Sequence, residues 1–152
     1  MGEVGITHIV NAAGDACENR FPDKIKYLTL YLKDSRGENI ECVFYDVIDF
    51  LDSVKQQGGK VLVHCVQGIS RSVALCISYL ICRHGHTYTS ALNYIRDRRG
   101  IASPNPAFWA QLVNFQNRLK GSFEEVPAPR VFCVGSFQRE TPQTIVARFV
   151  CV

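Results

Sequence analysis

The 152-residue chain lacks the features that define several common protein classes. No apolar run approaches the roughly 18 residues that a membrane-spanning helix needs, and no signal-peptide pattern opens the sequence. Internal repeats and low-complexity tracts are missing as well, which argues against repeat, fibrous and disordered proteins. We therefore expect a folded domain without a membrane partner.

The chain also lacks a strong excess of either charge, since 17 Lys and Arg against 14 Asp and Glu give a net charge of +3. So weak a bias predicts no nucleic-acid partner, although it is compatible with an anionic substrate. Apolar residues, in contrast, are plentiful: 47% of the residues are hydrophobic and 20% are charged. This apolar content is enough to form the buried core of one domain of ordinary size.

The seven cysteines form an odd set without the tight spacing of a disulfide scaffold. We interpret them as free thiols, which predicts a reducing compartment, cytoplasmic or nuclear. Cys76, Cys82, His84 and His86 are conceivable zinc ligands. On a helix, however, two residues six positions apart diverge by about 240°. Core packing is therefore preferred, and no metal or other cofactor is predicted.

Strands and helices alternate over the first 120 residues. Short β-branched runs predict strands at 6–10, 26–32 and 60–64. Helical periodicity of apolar residues predicts four helices beginning near residues 41, 72, 89 and 105. This order predicts an α/β domain whose mostly parallel central sheet is flanked by helices.

The composition changes after Lys120. Residues 121–129 (GSFEEVPAP) resemble a linker, whereas 131–134 and 144–152 are strand-like. We therefore divide the chain into a main domain, 1–120, and a linker with a strand-forming tail, 121–152. Because free apolar strands aggregate, we expect a tail strand to dock on the sheet of its own chain or of a neighbour, which would form a homodimer. A loose terminus is the open alternative.

The most informative segment is 64–72 (HCVQGISRS), between a predicted buried strand and a predicted helix. A loop in this position directs backbone N–H groups at an anion, and the helix dipole favours negative charge there. Gly68 permits the backbone conformation and the close approach that a Cβ would obstruct. The predicted phosphate-binding residues of the loop are Val66, Gln67, Gly68, Ile69 and Ser70.

Three side chains add chemistry to this anion cradle. The planar fork of Arg71 suits two phosphate oxygens. The same field stabilises a thiolate at Cys65, and the Ser72 hydroxyl can donate to its sulfur. A thiolate below a bound phosphorus atom predicts in-line attack and a phosphocysteine. The alternative of a buried core thiol and a solvated arginine is less favoured, because the spacing and the strand–loop–helix context fit the chemistry.

The HCVQGISRS segment resembles the signature loop of the cysteine-dependent protein phosphatases, in the form used by dual-specificity phosphatases. The similarity extends from ITHIVNAAG to about Leu119. Residues 100–116 (GIASPNPAFWAQLVNFQ) are particularly similar to the mitogen-activated protein kinase phosphatases. The resemblance implies a catalytic domain over 1–120 that hydrolyses phosphotyrosine and phosphoserine or phosphothreonine in proteins, with MAP kinases as candidate substrates.

The resemblance also assigns roles to three further residues. Asp34 matches the general acid of the family, which protonates the leaving group and later activates water. His64 matches the histidine that orients the nucleophile. Asn105 matches a position near the loop that carries Asp34, called the acid loop below. A simple N-cap is the alternative role for Asn105. The family domain normally has strand structure before ITHIVN, so we expect that strand to be missing here or replaced by another segment.

Two other functions stay open. A phosphoinositide or other non-protein phosphatase would use a related loop, usually with extra lysines that Val66, Gln67 and Ile69 do not supply. A phosphopeptide-binding module would keep the cradle and lose the thiol, and Cys65 argues against it. The sequence therefore predicts a metal-independent dual-specificity protein phosphatase.

Overall fold

The computed structural model describes residues 5–120, 131–133 and 145–147. The elements in chain order are β1 (His8–Asn11), β2 (Lys26–Thr29), a 3₁₀ turn (Ile40–Val43), α1 (Phe44–Gln56), β3 (Val61–His64), α2 (Arg71–His84), α3 (Tyr88–Arg96), α4 (Pro106–Leu119), β4 (Val131–Cys133) and β5 (Ile145–Ala147). No helix within these ranges has both the length and the hydropathy of a membrane span.

Three parallel strands form the central sheet in the order β2-β1-β3. In the middle strand, Val10 lies opposite Leu28 on one side and Val63 on the other. All four residues of β1 are buried, as expected for the centre of a parallel sheet that helices cover. The predicted α/β fold with a parallel sheet flanked by helices is confirmed.

Strand β2 ends earlier than the predicted range 26–32, because its partner β1 ends at Asn11. Two further backbone bonds join the two segments, from the N–H of Leu30 to the carbonyl of Asn11 at 2.8 Å and from the N–H of Gly14 to the carbonyl of Leu30 at 2.9 Å. Beyond these bonds the Leu32 carbonyl turns away from the sheet and accepts a hydrogen bond from Arg71. The segment that follows β2 is therefore joined to the first residue of α2.

Capping groups fix the helix ends. Helix α3 begins slightly before its predicted start because the Thr87 hydroxyl accepts the N–H of Ser90. Helix α2 ends at Gly85, whose φ of 62° is a left-handed conformation that favours glycine. Helix α4 is capped by Asn105, whose side-chain oxygen accepts the N–H of Phe108 at 3.0 Å.

The core lies between the sheet and the helices, and α2 is buried along almost its whole length. Rings from two helices meet in it, with the centroids of Phe44 and Phe115 5.1 Å apart. Trp109 is 52% exposed and so marks the edge of the core. Cys76 and Cys82 are both buried in the core, where they pack among apolar side chains. Within the described part of the chain, no three His, Cys, Asp or Glu side chains are arranged to hold a metal.

Helix α2 ends with a buried histidine, His84, which is 8% exposed and has no hydrogen-bond partner on either ring nitrogen. Its ring packs edge-on against Tyr79, with centroids 5.1 Å apart. Burial lowers the pKa of His84 from the ordinary 6.5 to about 4, and the positive charge of Lys55 acts in the same direction. The fold therefore holds this imidazole in its neutral form.

Acid is expected to destabilise the protein through His84. Below pH 6.5 the unfolded state takes up a proton that the folded state takes up only near pH 4, so stability falls as the pH falls through this window. The full effect is about 3 kcal/mol. Urea unfolding between pH 7 and pH 4.5 should show a flatter pH dependence for His84→Phe. The control His86→Gln alters a more exposed histidine and should keep most of the slope; equal slopes for His84→Phe and wild type would contradict the assignment.

The described parts of the tail contain two short strands. Strands β4 and β5 pair in parallel, with Val131 opposite Ile145, and β5 passes beside β3. Both lie inside the segments predicted to be strand-like. The rest of 121–152 and the first four residues lie outside the described residues, so tail docking and the missing leading strand stay predictions.

Candidate active site

The loop between β3 and α2 carries the predicted nucleophile at its base. Cys65 directly follows β3 and is 3% exposed, while Arg71 and Ser72 are the first residues of α2. The Ser72 hydroxyl lies 3.3 Å from the Cys65 sulfur, and the backbone N–H of Gly68 donates to the same sulfur at 3.3 Å. The structure thus brings together the thiol, the hydroxyl and the loop in the predicted arrangement.

Hydrogen bonds decide the protonation of this thiol. Burial by itself would raise the pKa of Cys65, because it disfavours the charged thiolate. The Ser72 hydroxyl, the N–H groups of Ser72 and Gly68 and the positive charge of Arg71 together outweigh burial, and the pKa of Cys65 lies below its ordinary value. A thiol in this state is a nucleophile closer to neutral pH than an ordinary cysteine.

The phosphate loop, residues 66–70, is fastened from outside through three consecutive carbonyls. Arg99 donates to the carbonyls of Gln67 at 3.1 Å and Gly68 at 3.0 Å. The backbone N–H of Ser103 donates to the carbonyl of Ile69 at 2.8 Å. Gly68 has a φ of 67°, the left-handed conformation anticipated for it. No sequence pattern identifies Arg99, which lies 31 residues beyond Gly68 in an otherwise unremarked RDRRG run.

Arg71 connects the phosphate loop with the segment that leads to the predicted acid. One of its terminal nitrogens, Nη1, donates to the carbonyl of Leu32 at 2.9 Å. Its Nε is buried and has no hydrogen-bond partner. A buried donor of a charged group is costly to leave unpaired, and a phosphate oxygen in the cradle would satisfy it. This geometry fits the predicted role of Arg71 in phosphate binding.

His64 acts on the backbone of the nucleophile. Its Nδ1 lies 3.2 Å from the carbonyl oxygen of Cys65, so the predicted orienting contact reaches the carbonyl and not the thiol. Burial lowers the pKa of His64, although the hydrogen bond to this carbonyl acts in the opposite direction. A neutral imidazole with its proton on Nδ1 donates to the carbonyl.

Asn105 joins the predicted acid to the phosphate loop. Its side-chain N–H donates to Asp34 Oδ1 at 2.8 Å, and its backbone N–H donates to the Ser70 hydroxyl at 2.9 Å. Its side-chain oxygen at the same time caps α4. The two roles considered for Asn105 are therefore both present. Asp34 itself is exposed, on the loop that follows β2.

Two residues that no motif identifies brace the acid loop. The carboxylate of Glu38 accepts the N–H of Lys33, next to Asp34, at 2.7 Å. The amide of Gln111, on α4, donates to the Glu38 carbonyl at 2.9 Å and accepts the N–H of Glu41 at 3.0 Å. The first bond closes the loop across Asp34, and the two bonds of Gln111 hold the far end of the loop to α4, which limits the positions open to the carboxyl of Asp34.

The resemblance implies a low-pKa cysteine at the base of a phosphate loop, together with an arginine and an acid. The structure has Cys65 in that place, Arg71 at the start of α2, and Asp34 joined to the loop through Asn105. The family model described as "Dual specificity phosphatase, catalytic domain" matches residues 1–118. The chain belongs to this family.

Relatives of the dual-specificity phosphatase domain agree with this membership. The chain is 44% identical over 115 residues to the Protein-tyrosine-phosphatase MKP1 of Arabidopsis thaliana, covering 76% of this chain and 15% of that protein. It is 36% identical over 119 residues to human Dual specificity protein phosphatase 1, covering 78% and 32%. The chain thus spans less than a third of the length of these two proteins.

A solved structure shows the same fold. The crystal structure of the human tyrosine phosphatase-like serine/threonine/tyrosine-interacting protein has a TM-score of 0.71 at 37% identity, covering 75% of this chain and 78% of that one. The β3–loop–α2 unit thus sits within a phosphatase fold, as the sequence predicts.

Proposed function

We propose that this dual-specificity phosphatase domain hydrolyses phosphotyrosine and phosphoserine or phosphothreonine in proteins through a phosphocysteine intermediate. The observation that carries the proposal is the Cys65 sulfur, hydrogen-bonded by Ser72 and Gly68 at the base of a loop whose carbonyls are held outward. A low-pKa thiol acts as a nucleophile when an electrophile is bound next to it. Backbone amides that point into the loop would bind a phosphate in that position.

In the first step the Cys65 thiolate attacks phosphorus in line with the leaving oxygen. The S–P bond forms as the P–O bond breaks, and the electron pair of that bond goes to the leaving oxygen. Asp34 in its protonated form gives that oxygen a proton. The loop amides and Arg71 bind the non-bridging oxygens, whose charge they stabilise in the transition state.

In the second step water attacks the phosphocysteine. Asp34, now a carboxylate, takes a proton from the water as its oxygen bonds to phosphorus, and the S–P bond breaks to return the Cys65 thiolate. The Ser72 hydroxyl, 3.3 Å from the sulfur, donates a hydrogen bond to the departing thiolate. Inorganic phosphate leaves, and both catalytic groups are back in their starting protonation states, because the proton that Asp34 takes from the water replaces the one it gave to the leaving oxygen.

We propose doubly phosphorylated MAP kinases as the physiological substrate class. The support is the likeness of 100–116 to the MAP kinase phosphatases and the 44% identity to the plant protein named MKP1. This segment builds the site, because it includes Asn105, which contacts the predicted acid, and Ser103, which contacts the phosphate loop.

The test compares three substrates at equal phosphate concentration: a doubly phosphorylated MAP kinase activation-loop peptide, the same peptide carrying only phosphotyrosine, and phosphoinositide vesicles. We expect turnover of both peptides and little of the lipid. Acid-quenched mass spectrometry should find the phosphoryl group on Cys65 during turnover of the peptides.

Other results would contradict parts of the proposal. Faster hydrolysis of the lipid would favour the phosphoinositide alternative. Binding of the peptide without turnover would favour a phosphopeptide-binding module. This outcome is worth testing because one solved relative is named a tyrosine phosphatase-like serine/threonine/tyrosine-interacting protein.

We also propose that the protein works in the cytoplasm or the nucleus. The five cysteines whose side chains the structure describes are free thiols: Cys17, Cys42, Cys65, Cys76 and Cys82. A thiolate nucleophile needs a reducing compartment to stay active, because it is the form of cysteine that oxidises first. Fractionation of cells that express the tagged protein tests this location.

For the tail we propose that it packs on the sheet of the catalytic domain, within one chain or by exchange in a homodimer. The position of β5 beside β3 supports this packing. Deleting residues 122–152 should therefore lower the melting temperature by several degrees, as loss of about 1 kcal/mol does in a domain of this size, and should convert any dimer to monomer. Light scattering and calorimetry measure both quantities. Unchanged values would show a passive tail.

A further inference from the structure

Each peptide group of the phosphate loop can make contacts on two sides, with its carbonyl on one side and its N–H on the other. In a planar trans peptide the carbonyl of one residue and the N–H of the next point in opposite directions. The peptide between Gln67 and Gly68 shows both ends: its carbonyl accepts from Arg99 at 3.1 Å, and its N–H donates to the Cys65 sulfur at 3.3 Å. An outward carbonyl therefore means an inward amide.

The neighbouring peptides repeat this orientation. The Gly68 carbonyl accepts from Arg99 at 3.0 Å and the Ile69 carbonyl accepts from the N–H of Ser103 at 2.8 Å. By the same planarity, the N–H groups of Ile69 and Ser70 point away from these contacts, into the cradle. Since Ser103 acts through its backbone, Arg99 is the side chain on which two of the three outward contacts depend.

The segment that carries Arg99 is itself fixed. The N–H of Arg99 donates to the Ile95 carbonyl at 2.8 Å, and the N–H of Ala102 donates to the Arg99 carbonyl at 3.1 Å. Arg96 Nε donates to the Ala102 carbonyl at 2.9 Å. The guanidinium thus extends from a hydrogen-bonded turn, which gives it a fixed base from which to hold the loop.

We propose that Arg99 is a positioning residue that clamps the carbonyls of Gln67 and Gly68 and so keeps the phosphate-loop amides turned toward Cys65 and its substrate. A guanidinium suits this task because two N–H groups in one plane reach two neighbouring oxygens, whereas a lysine presents a single ammonium. The inference concerns the same site as the proposed phosphatase activity and rests on its phosphate chemistry.

The test uses two variants of Arg99 and one matched control. Arg99→Lys keeps the charge and loses the two-carbonyl fork, and Arg99→Met loses both. The control is Arg98→Lys, because the neighbouring Arg98 guanidinium stacks on the Tyr94 ring at 3.7 Å and donates to the Tyr94 carbonyl. Circular dichroism and thermal melting of each variant report whether the fold is retained.

Two readouts need no turnover. The first is the pH dependence of iodoacetamide alkylation of Cys65, followed by mass spectrometry of its peptide. The second is the concentration of inorganic phosphate that protects Cys65 from alkylation. We expect Arg99→Met to shift alkylation to higher pH and to weaken protection about ten- to a hundred-fold, the scale of lost hydrogen bonds to a charged group. Arg99→Lys should fall between Arg99→Met and wild type, and Arg98→Lys should match wild type.

Several outcomes would overturn the proposal. An Arg99→Lys protein equal to wild type in both readouts would show that the fork is not needed, even if Arg99→Met fails to fold. Weaker phosphate protection with an unchanged alkylation profile would make Arg99 a direct phosphate contact and not a positioning residue. Since neither readout requires hydrolysis, an inactive protein that shows the Arg99 effect would refute the proposed function and leave this inference standing.

Discussion

Replacing Cys65 by serine is expected to lower turnover of para-nitrophenyl phosphate by about 10⁴-fold or more, the scale seen when other covalent enzymes lose their nucleophile. The reason is electronic. The hydrogen bonds and the charge of Arg71 lower the pKa of a thiol, but an alcohol starts too far above neutral pH for the same groups to ionise it. The fold should survive, because serine occupies less space than cysteine at this buried position.

The Cys65→Ser protein should still bind phosphopeptide, since the loop amides and Arg71 are unchanged. Titration calorimetry with a non-hydrolysed phosphopeptide measures this retained affinity. Ser72→Ala is the matched control: it keeps the thiol, removes the hydroxyl 3.3 Å away and should cost much less activity. Turnover near the wild-type rate in Cys65→Ser would show that another group attacks phosphorus.

Replacing Asp34 by asparagine is expected to reduce kcat by about 10²–10³-fold on phosphoserine peptides, the range that general acid catalysis supplies. Asparagine has the same shape and can still accept the hydrogen bond from Asn105, so the loop should keep its position. What it lacks is the proton for the leaving alkoxide. The loss should be much smaller with para-nitrophenyl phosphate, whose leaving group is stable without protonation.

Two neighbouring carboxylates serve as controls for Asp34. Asp46 lies in the first turn of α1, so Asp46→Asn should leave kcat and its dependence on the leaving group unchanged. Glu38→Gln tests the brace of the same loop through the N–H of Lys33. If the dependence on the leaving group followed Glu38 or Asp46 and not Asp34, the acid would be wrongly assigned.

Local chemistry made much of this protein predictable. The parallel sheet follows from strands that alternate with helices, and the cradle follows from one contiguous segment, 64–72, in which Gly68 takes the left-handed conformation. The nucleophile and its hydroxyl partner are seven residues apart on that segment, so their contact depends on the geometry of a single loop and helix start.

What could not be predicted depends on contacts between distant segments. Arg99 reaches the phosphate loop across 31 residues, and Gln111 reaches the acid loop across 73. Arginine and glutamine are ordinary surface residues, so neither type nor spacing distinguishes these two from their neighbours. The end of β2 at Thr29 differs from the predicted end at residue 32 for a similar reason, since it depends on where the partner strand stops and not on β propensity.

The contacts of Asn105 with three separate segments bear on how the specificity of this domain could be re-engineered. One residue serves the acid loop, the phosphate loop and the start of α4. An acid loop transplanted from another phosphatase would therefore need a hydrogen-bond acceptor within reach of the Asn105 side-chain amide. A redesigned α4 would need to retain its first residues. Grafts that treat these segments as independent modules should lose activity even when every catalytic residue is kept, whereas grafts that carry the partners of Asn105 together should retain it.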